Sequence, residues 1–245
     1  MKLRGGYNTY GQAIGILMLD TAFPRPPGDI GNATTFEFPV LYRTVPGASP
    51  GRLVLERDPG LLEPFIEAAR ELERTGVRAI STSCGFLALF QRQLAESVAI
   101  PVFSSALIQV PMAYQMLARD RRVGILTANR AALTEQHFRG VGWSSDEVPI
   151  HVVGLEQGEL FGPSHHHPEL HPEVDFDRIE LEVLRGARQL LDEAPDVGAI
   201  VLECTNLPPH AAAIQRATGR PVFDIVTLIR MIHSCVVQRE YLGYQ

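Results

Sequence analysis

Two cysteines, Cys84 and Cys204, stand 120 residues apart in similar surroundings. A thiolate can act as a base or as a nucleophile. The first lies in Ser81-Thr-Ser-Cys84-Gly-Phe86 and the second in Leu202-Glu-Cys204-Thr-Asn-Leu-Pro-Pro209. Each motif reads as a strand end, a polar turn and a helix start. Thr205 and Asn206 are residue types that cap helices, and Pro208 or Pro209 suits a first helical turn. A cysteine at such a turn meets the helix dipole and free backbone N–H groups, which predicts a thiol pKa below its ordinary value of about 8.5. The same N–H groups could hold a substrate carboxylate.

A pair of such groups suits proton transfer at carbon. A racemase removes the weakly acidic proton alpha to a carboxylate on one face and supplies another on the opposite face. Thiols on opposite walls can do this, one as thiolate and one as thiol, with roles set by the hand of the substrate. The carbanion then needs donors aimed at its carboxylate. The expectation is a cofactor-independent racemase or epimerase of a small carboxylic acid, most readily an amino acid such as aspartate or glutamate. Isomerisation of an unsaturated diacid such as maleate, with one cysteine attacking carbon, is a second enzyme reading, and a hydantoin racemase is a third. A small-ligand binding protein on the same scaffold is the non-enzymatic one. Free cysteines are also common as small buried hydrophobes, and that reading is preferred for Cys235, inside the apolar helical run 225–237.

The elements that must carry these turns are legible as short apolar runs: 13–19, 38–42, 77–81, 100–103, 123–127, 150–153, 199–202 and 221–223. Amphipathic stretches at 61–74 and 176–191 lie between some of them, and strand alternating with helix predicts parallel sheets covered by helices. The halves repeat. Val77-Arg-Ala-Ile80 precedes Cys84 as Val197-Gly-Ala-Ile200 precedes Cys204, and Pro101-Val-Phe103 matches Pro221-Val-Phe223 at the same offset of 120. Ile14-Gly-Ile-Leu17 matches Val123-Gly-Ile-Leu126 at an offset of 109, so the first half is longer, and the Pro-, Gly- and Asn-rich segment 21–35 accounts for the difference. A duplicated unit places each cysteine just after the third strand of its half, where open α/β sheets bind ligands.

Composition narrows the partners. The chain of 245 residues, 45% hydrophobic and 20% charged, is long enough for one large or two small cores. A net charge of −6 argues against nucleic acid held by a basic field. No run is long enough for a secretory core or a membrane span, so a cytoplasmic protein with no membrane partner is expected. Lys2 is the only lysine; pyridoxal-phosphate, held as a lysine Schiff base, and a P-loop are both disfavoured. No cofactor and no metal are expected. Ser164-His-His-His167 with His171 lies among prolines and reads as a solvated loop. The partner expected is a small-molecule carboxylate, and assembly into a homo-oligomer is left open.

At its two cysteine motifs, and along nearly its whole length, the chain resembles the cofactor-independent aspartate/glutamate/hydantoin racemase superfamily, which also includes maleate isomerases and arylmalonate decarboxylases. The resemblance implies two pseudo-symmetric α/β domains, each a parallel sheet flanked by helices, with the active site in the cleft between them. It implies Cys84 and Cys204 as the catalytic pair. Thr205 matches the threonine that follows the second cysteine in glutamate racemases. Asn129, at the end of Val123-Gly-Ile-Leu-Thr-Ala-Asn129, falls where the family places a substrate-facing polar residue, and Asp20 is its counterpart in the first half. Where glutamate racemases continue their cysteines with Asn-Thr and Thr-His, this chain has Gly85-Phe86 and Thr205-Asn206. The first departure suits a less polar acid than glutamate. The retained Cys84 separates the chain from arylmalonate decarboxylases, which keep only the second cysteine.

The domains expected are 1–104 plus 224–245, whose terminal helix crosses back to the first half, and 105–223. Gly85, Thr205 and Asn129 are expected to hold the carboxylate, with Asp20, Asn32 and Ser83 also in contact with substrate; Thr34 and Thr35, beside Asn32 in the long loop, are further donors. Glu203 is adjacent to Cys204, but neighbours along a strand point to opposite faces.

Overall fold

The computed structural model describes residues 5–166, 173–241 and 243, with the side chain of His166 outside that description. All eight expected strands form: β1 (Ile14–Leu19), β2 (Val40–Val45), β3 (Ala79–Thr82), β4 (Val102–Phe103), β5 (Arg122–Thr127), β6 (Ile150–Gly154), β7 (Val197–Leu202) and β8 (Val222–Phe223). They make two four-stranded sheets of identical topology, ordered β2-β1-β3-β4 and β6-β5-β7-β8, with every pairing parallel. The fold is therefore α/β with two parallel sheets flanked by helices. The central strands β1 and β5 are almost wholly buried, as expected of parallel strands covered on both faces.

Among the described residues eight α-helices flank the strands: α1 (Leu62–Arg74), α2 (Gln91–Glu96), α3 (Val110–Gln115), α4 (Glu135–Gly140), α5 (Phe161–His166), α6 (Phe176–Glu193), α7 (Ala211–Thr218) and, after the last strand, α8 (Ile225–Val236). The two long ones bury one stripe each. In α1 it is Phe65, Ala68, Ala69 and Leu72, and in α6 it is Ile179, Val183, Gly186, Ala187 and Leu190, the spacing of a helix with one apolar face. The repeated glycine of the two first strands explains itself here. A Cβ on Gly15 would stand 2.9 Å from Leu72 Cδ1 of α1, and one on Gly124 would overlap Leu190 of α6. Each half needs a glycine where its long helix presses on its central strand.

The halves share a core. Ala199 and Val201 of β7 and Val123 and Ile125 of β5 pack in one cluster with the first sheet, while Ile200, Leu202 and Leu126 face α6 in another. This is the alternation of a strand buried on both sides. Helix α8 contributes Ile225, Val226, Leu228 and Ile229 to the shared cluster. Its start is fixed by a capping box: Thr227 N–H donates to Asp224 Oδ1 at 2.7 Å, and Asp224 N–H donates to Thr227 Oγ1 at 2.9 Å. Asp224→Ala is expected to cost about 1 kcal/mol, a fall in Tm of about 2–4 °C for a chain of this size. A thermal melt that leaves Tm unchanged would show the cap to be dispensable.

Candidate active site

A small cavity opens at the carboxyl ends of the strands, between the two sheets. Its volume is about 40 Å³, a few times the ~10–15 Å³ that holds one water. Cys84 and Cys204 both line it, with Ser83, Gly85, Phe86, Glu203, Thr205 and Asn206 from the two cysteine turns. The long loop after β1 adds Thr21, Phe23 and Arg25, the segment after β2 adds Pro50 and Val54, and His165 comes from α5. Residues 51–55 form a single π-helical turn.

Cys84 precedes a 3₁₀ turn, Gly85–Phe90, and the N–H groups of Phe86 and Leu87 reach its sulfur. These donors favour thiolate, as expected, but they do not win. Burial, reinforced by the nearby Glu203 carboxyl, pushes the Cys84 thiol up to about 12. Cys204 is raised well above its ordinary value, again by burial first and Glu203 second, with Cys84 and Asp29 adding to the rise against one N–H from Asn206. The expected lowering is thus corrected. Short turns supply few aligned peptide dipoles, and desolvation outweighs them. The thiols also differ: Cys84 faces two N–H donors, whereas Cys204 Sγ–H points to Asn206 Oδ1 at 3.7 Å.

Thr205 and Asn206 do not cap a helix. Thr205 Oγ1 donates to the Ser83 carbonyl at 2.5 Å, and Ser83 Oγ accepts the Leu19 N–H at 2.8 Å, so these hydroxyls staple one cysteine turn to the other and to β1. Asn206 Nδ2 donates to Asp29 Oδ2 at 2.7 Å, and Asp29 Oδ1 accepts from Arg25 Nη1 at 2.7 Å. The Arg25 guanidinium lies 4.5 Å from the Phe23 ring centre. The inserted loop of the first half thereby fixes the side chain that faces Cys204.

Three expected contacts lie elsewhere. Asp20 is exposed and accepts the Gly47 N–H. Asn32 accepts the Thr34 N–H and donates to the Arg25 carbonyl, and Asn129 accepts the Ala132 N–H. Asn32 and Asn129 are engaged within their own loops and Asp20 with the loop after β2, and all three lie outside the cavity lining. Thr35 Oγ1 likewise donates to the Asp29 carbonyl. No residue of 28–39, where Asn32, Thr34 and Thr35 are expected to meet substrate, lines the cavity; the loop contributes Thr21, Phe23 and Arg25 from its first turns instead.

Glu203 lines the cavity and is wholly buried. Residues 199 and 201 face the other half, so 203 continues that face; the parity of β7 was the signal. Its Oε2 accepts from Thr127 Oγ1 at 2.6 Å, while its buried Oε1 has no hydrogen-bond partner among the described residues. Burial raises its carboxyl to about 7. Among the described residues no group of three or more His, Cys, Asp or Glu could hold a metal, and His167, His171 and the His166 side chain lie outside them. No described helix is long and apolar enough to cross a membrane.

No family model matches the chain. It is 32% identical over 225 residues to a dimethylsulfoniopropionate lyase of Durusdinium sp. clade D, covering 87% of this chain and 71% of that protein. It is 32% identical over 240 residues to dimethylsulfoniopropionate lyase 7 of Emiliania huxleyi (strain CCMP1516), covering 94% of this chain and 69% of that one. Solved structures with the same fold include a glycine-to-cysteine variant of arylmalonate decarboxylase in its sulfate-associated form, with TM-score 0.62, 17% identity, and 94% and 97% of the two chains covered. A glutamate racemase of Bacillus anthracis superposes with TM-score 0.57 and 14% identity over 93% and 85%. An aspartate racemase homologue of Pyrococcus horikoshii gives 0.53 and 18% over 92% and 99%. The fold is that of the racemase superfamily named from the cysteine motifs.

Proposed function

The chain belongs to the dimethylsulfoniopropionate lyase family, and from that premise we propose that it cleaves dimethylsulfoniopropionate, or a near relative with a sulfonium group beta to a carboxylate. The relatives correct the expected reaction class: the racemase expectation, with its maleate and hydantoin variants, gives way to an elimination, and the binding-protein reading gives way to an enzyme. Removal of the proton alpha to the carboxylate remains the opening step. The electron pair of the C–H bond becomes the new C=C bond, and the pair of the C–S bond leaves with sulfur. The products are acrylate and neutral dimethyl sulfide, with the proton on the base.

The observation that carries this reading is the pair of thiols in the wall of one small cavity, held there by turns that hydrogen-bond to each other. A sulfide leaves neutral and needs no acid, so this reaction asks for one base rather than two. Cys84, with two N–H donors at its sulfur, is the better thiolate. Cys204, whose S–H points to Asn206 Oδ1, serves as a thiol that can donate a hydrogen bond to the developing enediolate. The test is to incubate the protein with dimethylsulfoniopropionate, follow dimethyl sulfide by gas chromatography and acrylate by NMR, and look for stoichiometric release. Turnover of neither this compound nor its sulfonium homologues would overturn the proposal.

A further inference from the structure

We infer that Glu203 is the specificity-determining residue for a cationic substrate, with its unpartnered carboxylate oxygen serving as counter-charge to the onium group. The inference rests on the lyase reading for the identity of the substrate, but its geometry stands apart from it. Glu203 is 0% exposed and lines the cavity beside both cysteines. A buried carboxylate oxygen without a partner is costly, and Oε1 is in that position: Thr127 Oγ1 bonds Oε2, and although the Ala128 N–H also acts on the carboxyl, Oε1 itself has no hydrogen-bond partner among the described residues. Gly85 makes room for it: a Cβ there would overlap both Oε1 and the main-chain oxygen of Glu203.

Among the Asp, Glu and Arg side chains that line the cavity or bond to its lining, no other carboxylate competes for this role. Arg25 and Asp29 neutralise each other at 2.7 Å, Arg25 also reaching Thr21, and both Asp29 oxygens are engaged, Oδ1 by Arg25 and Gly31 N–H and Oδ2 by Asn206. Phe86 also lines the cavity, and an aromatic wall favours a cation over an anion, while Phe23 already carries the Arg25 guanidinium over its ring. A carboxylic acid with an uncharged tail entering this space would bring nothing to compensate the Glu203 carboxylate. A sulfonium carries no hydrogen-bond donor, but its charge would compensate the carboxylate and offset the push that Glu203 exerts on both thiols, so that thiolate forms when the right substrate is in place.

The test uses an unreactive pair that differs only in charge: 3-(trimethylammonio)propionate and its neutral isostere 4,4-dimethylpentanoate. Binding of each to the intact protein is measured by calorimetry or ligand-observed NMR. The parent should prefer the cation by about tenfold or more, the scale of one charge-assisted contact, and Glu203→Gln should reduce the ratio to about one while keeping affinity for the neutral acid. If Glu203→Gln does not fold, Glu203→Asp, which withdraws the charge by one methylene, should weaken the cation selectively. Equal preference in parent and variant, or no preference in the parent, would overturn the role of Glu203. Dimethyl sulfide release by the parent is scored separately: its absence with the charge preference intact sinks the lyase reading and leaves this one standing.

Discussion

Serine in place of Cys84 should lower dimethyl sulfide release by about 10³-fold, within the ~10²–10⁴ range of a positioned general base. Serine keeps the shape but holds its proton far more tightly than a thiol. Cys204→Ser should cost much less, about tenfold, because a hydroxyl can still donate a hydrogen bond to the substrate carboxylate. The contrast comes from the two environments, two N–H donors at Cys84 against one and an amide oxygen at Cys204. Equal losses would mean that both thiols share the proton transfer and would remove the assignment of roles. The pH profile offers an independent check. With Cys84 held up to about 12, the thiolate fraction of the free enzyme grows about tenfold per unit below that value, so kcat/KM should climb with pH across the neutral range instead of levelling off. A plateau near pH 8 would contradict this.

Gly85→Ala should damage the molecule more than any other single methyl group near the cavity. The added carbon would overlap Oε1 and the carbonyl oxygen of Glu203, and the second of these belongs to backbone at the end of β7, which cannot swing aside. Overpacking of this kind costs about 1–3 kcal/mol, or roughly 2–12 °C in Tm for a chain of this length. Because the strain falls between the two cysteine turns, activity should drop by about 10²-fold, the price of misplacing reacting groups by an ångström. Tm and the rate of dimethyl sulfide release, measured on the same preparation, test both. An alanine variant with the parent's melting point and rate would show that the turn at residue 85 yields easily.

Much of this site was legible before any coordinates. Eight apolar runs became eight strands, and the offset of 120 between Val77–Cys84 and Val197–Cys204 placed both thiols after equivalent strands, because a parallel strand's buried run and the turn behind it are local properties of sequence. The lining from the inserted loop was harder. Asn32 and Phe23 have similar claims as residue types, and only the folded loop, pinned by Asp29 to Asn206, decides which one faces the cavity. Glu203 was misjudged by comparing it with its neighbour Cys204, which sits beyond the strand end where alternation no longer holds; Val201, two residues back, was the better guide. The thiol acidities went the wrong way because turn dipoles can be read from sequence and burial cannot. The reaction class was least accessible of all. Racemisation and elimination begin with the same proton, and what distinguishes them is a leaving group carried by the substrate.

The staples between the halves have a kinetic consequence. Thr205 to Ser83 and Asn206 to Asp29 both cross the cavity rim, and β5 and β7 share buried side chains with the first sheet. Parting the halves like a clamshell would break all of these together. The π-helical turn at 51–55, whose Val54 lines the cavity beside the preceding Pro50, makes none of those crossings but buries Leu53 and Val54 in the shared core. A ligand that enters without parting the halves must therefore displace buried side chains of a loop, and that displacement, with no part in the chemistry, can set the pace of exchange at the cavity.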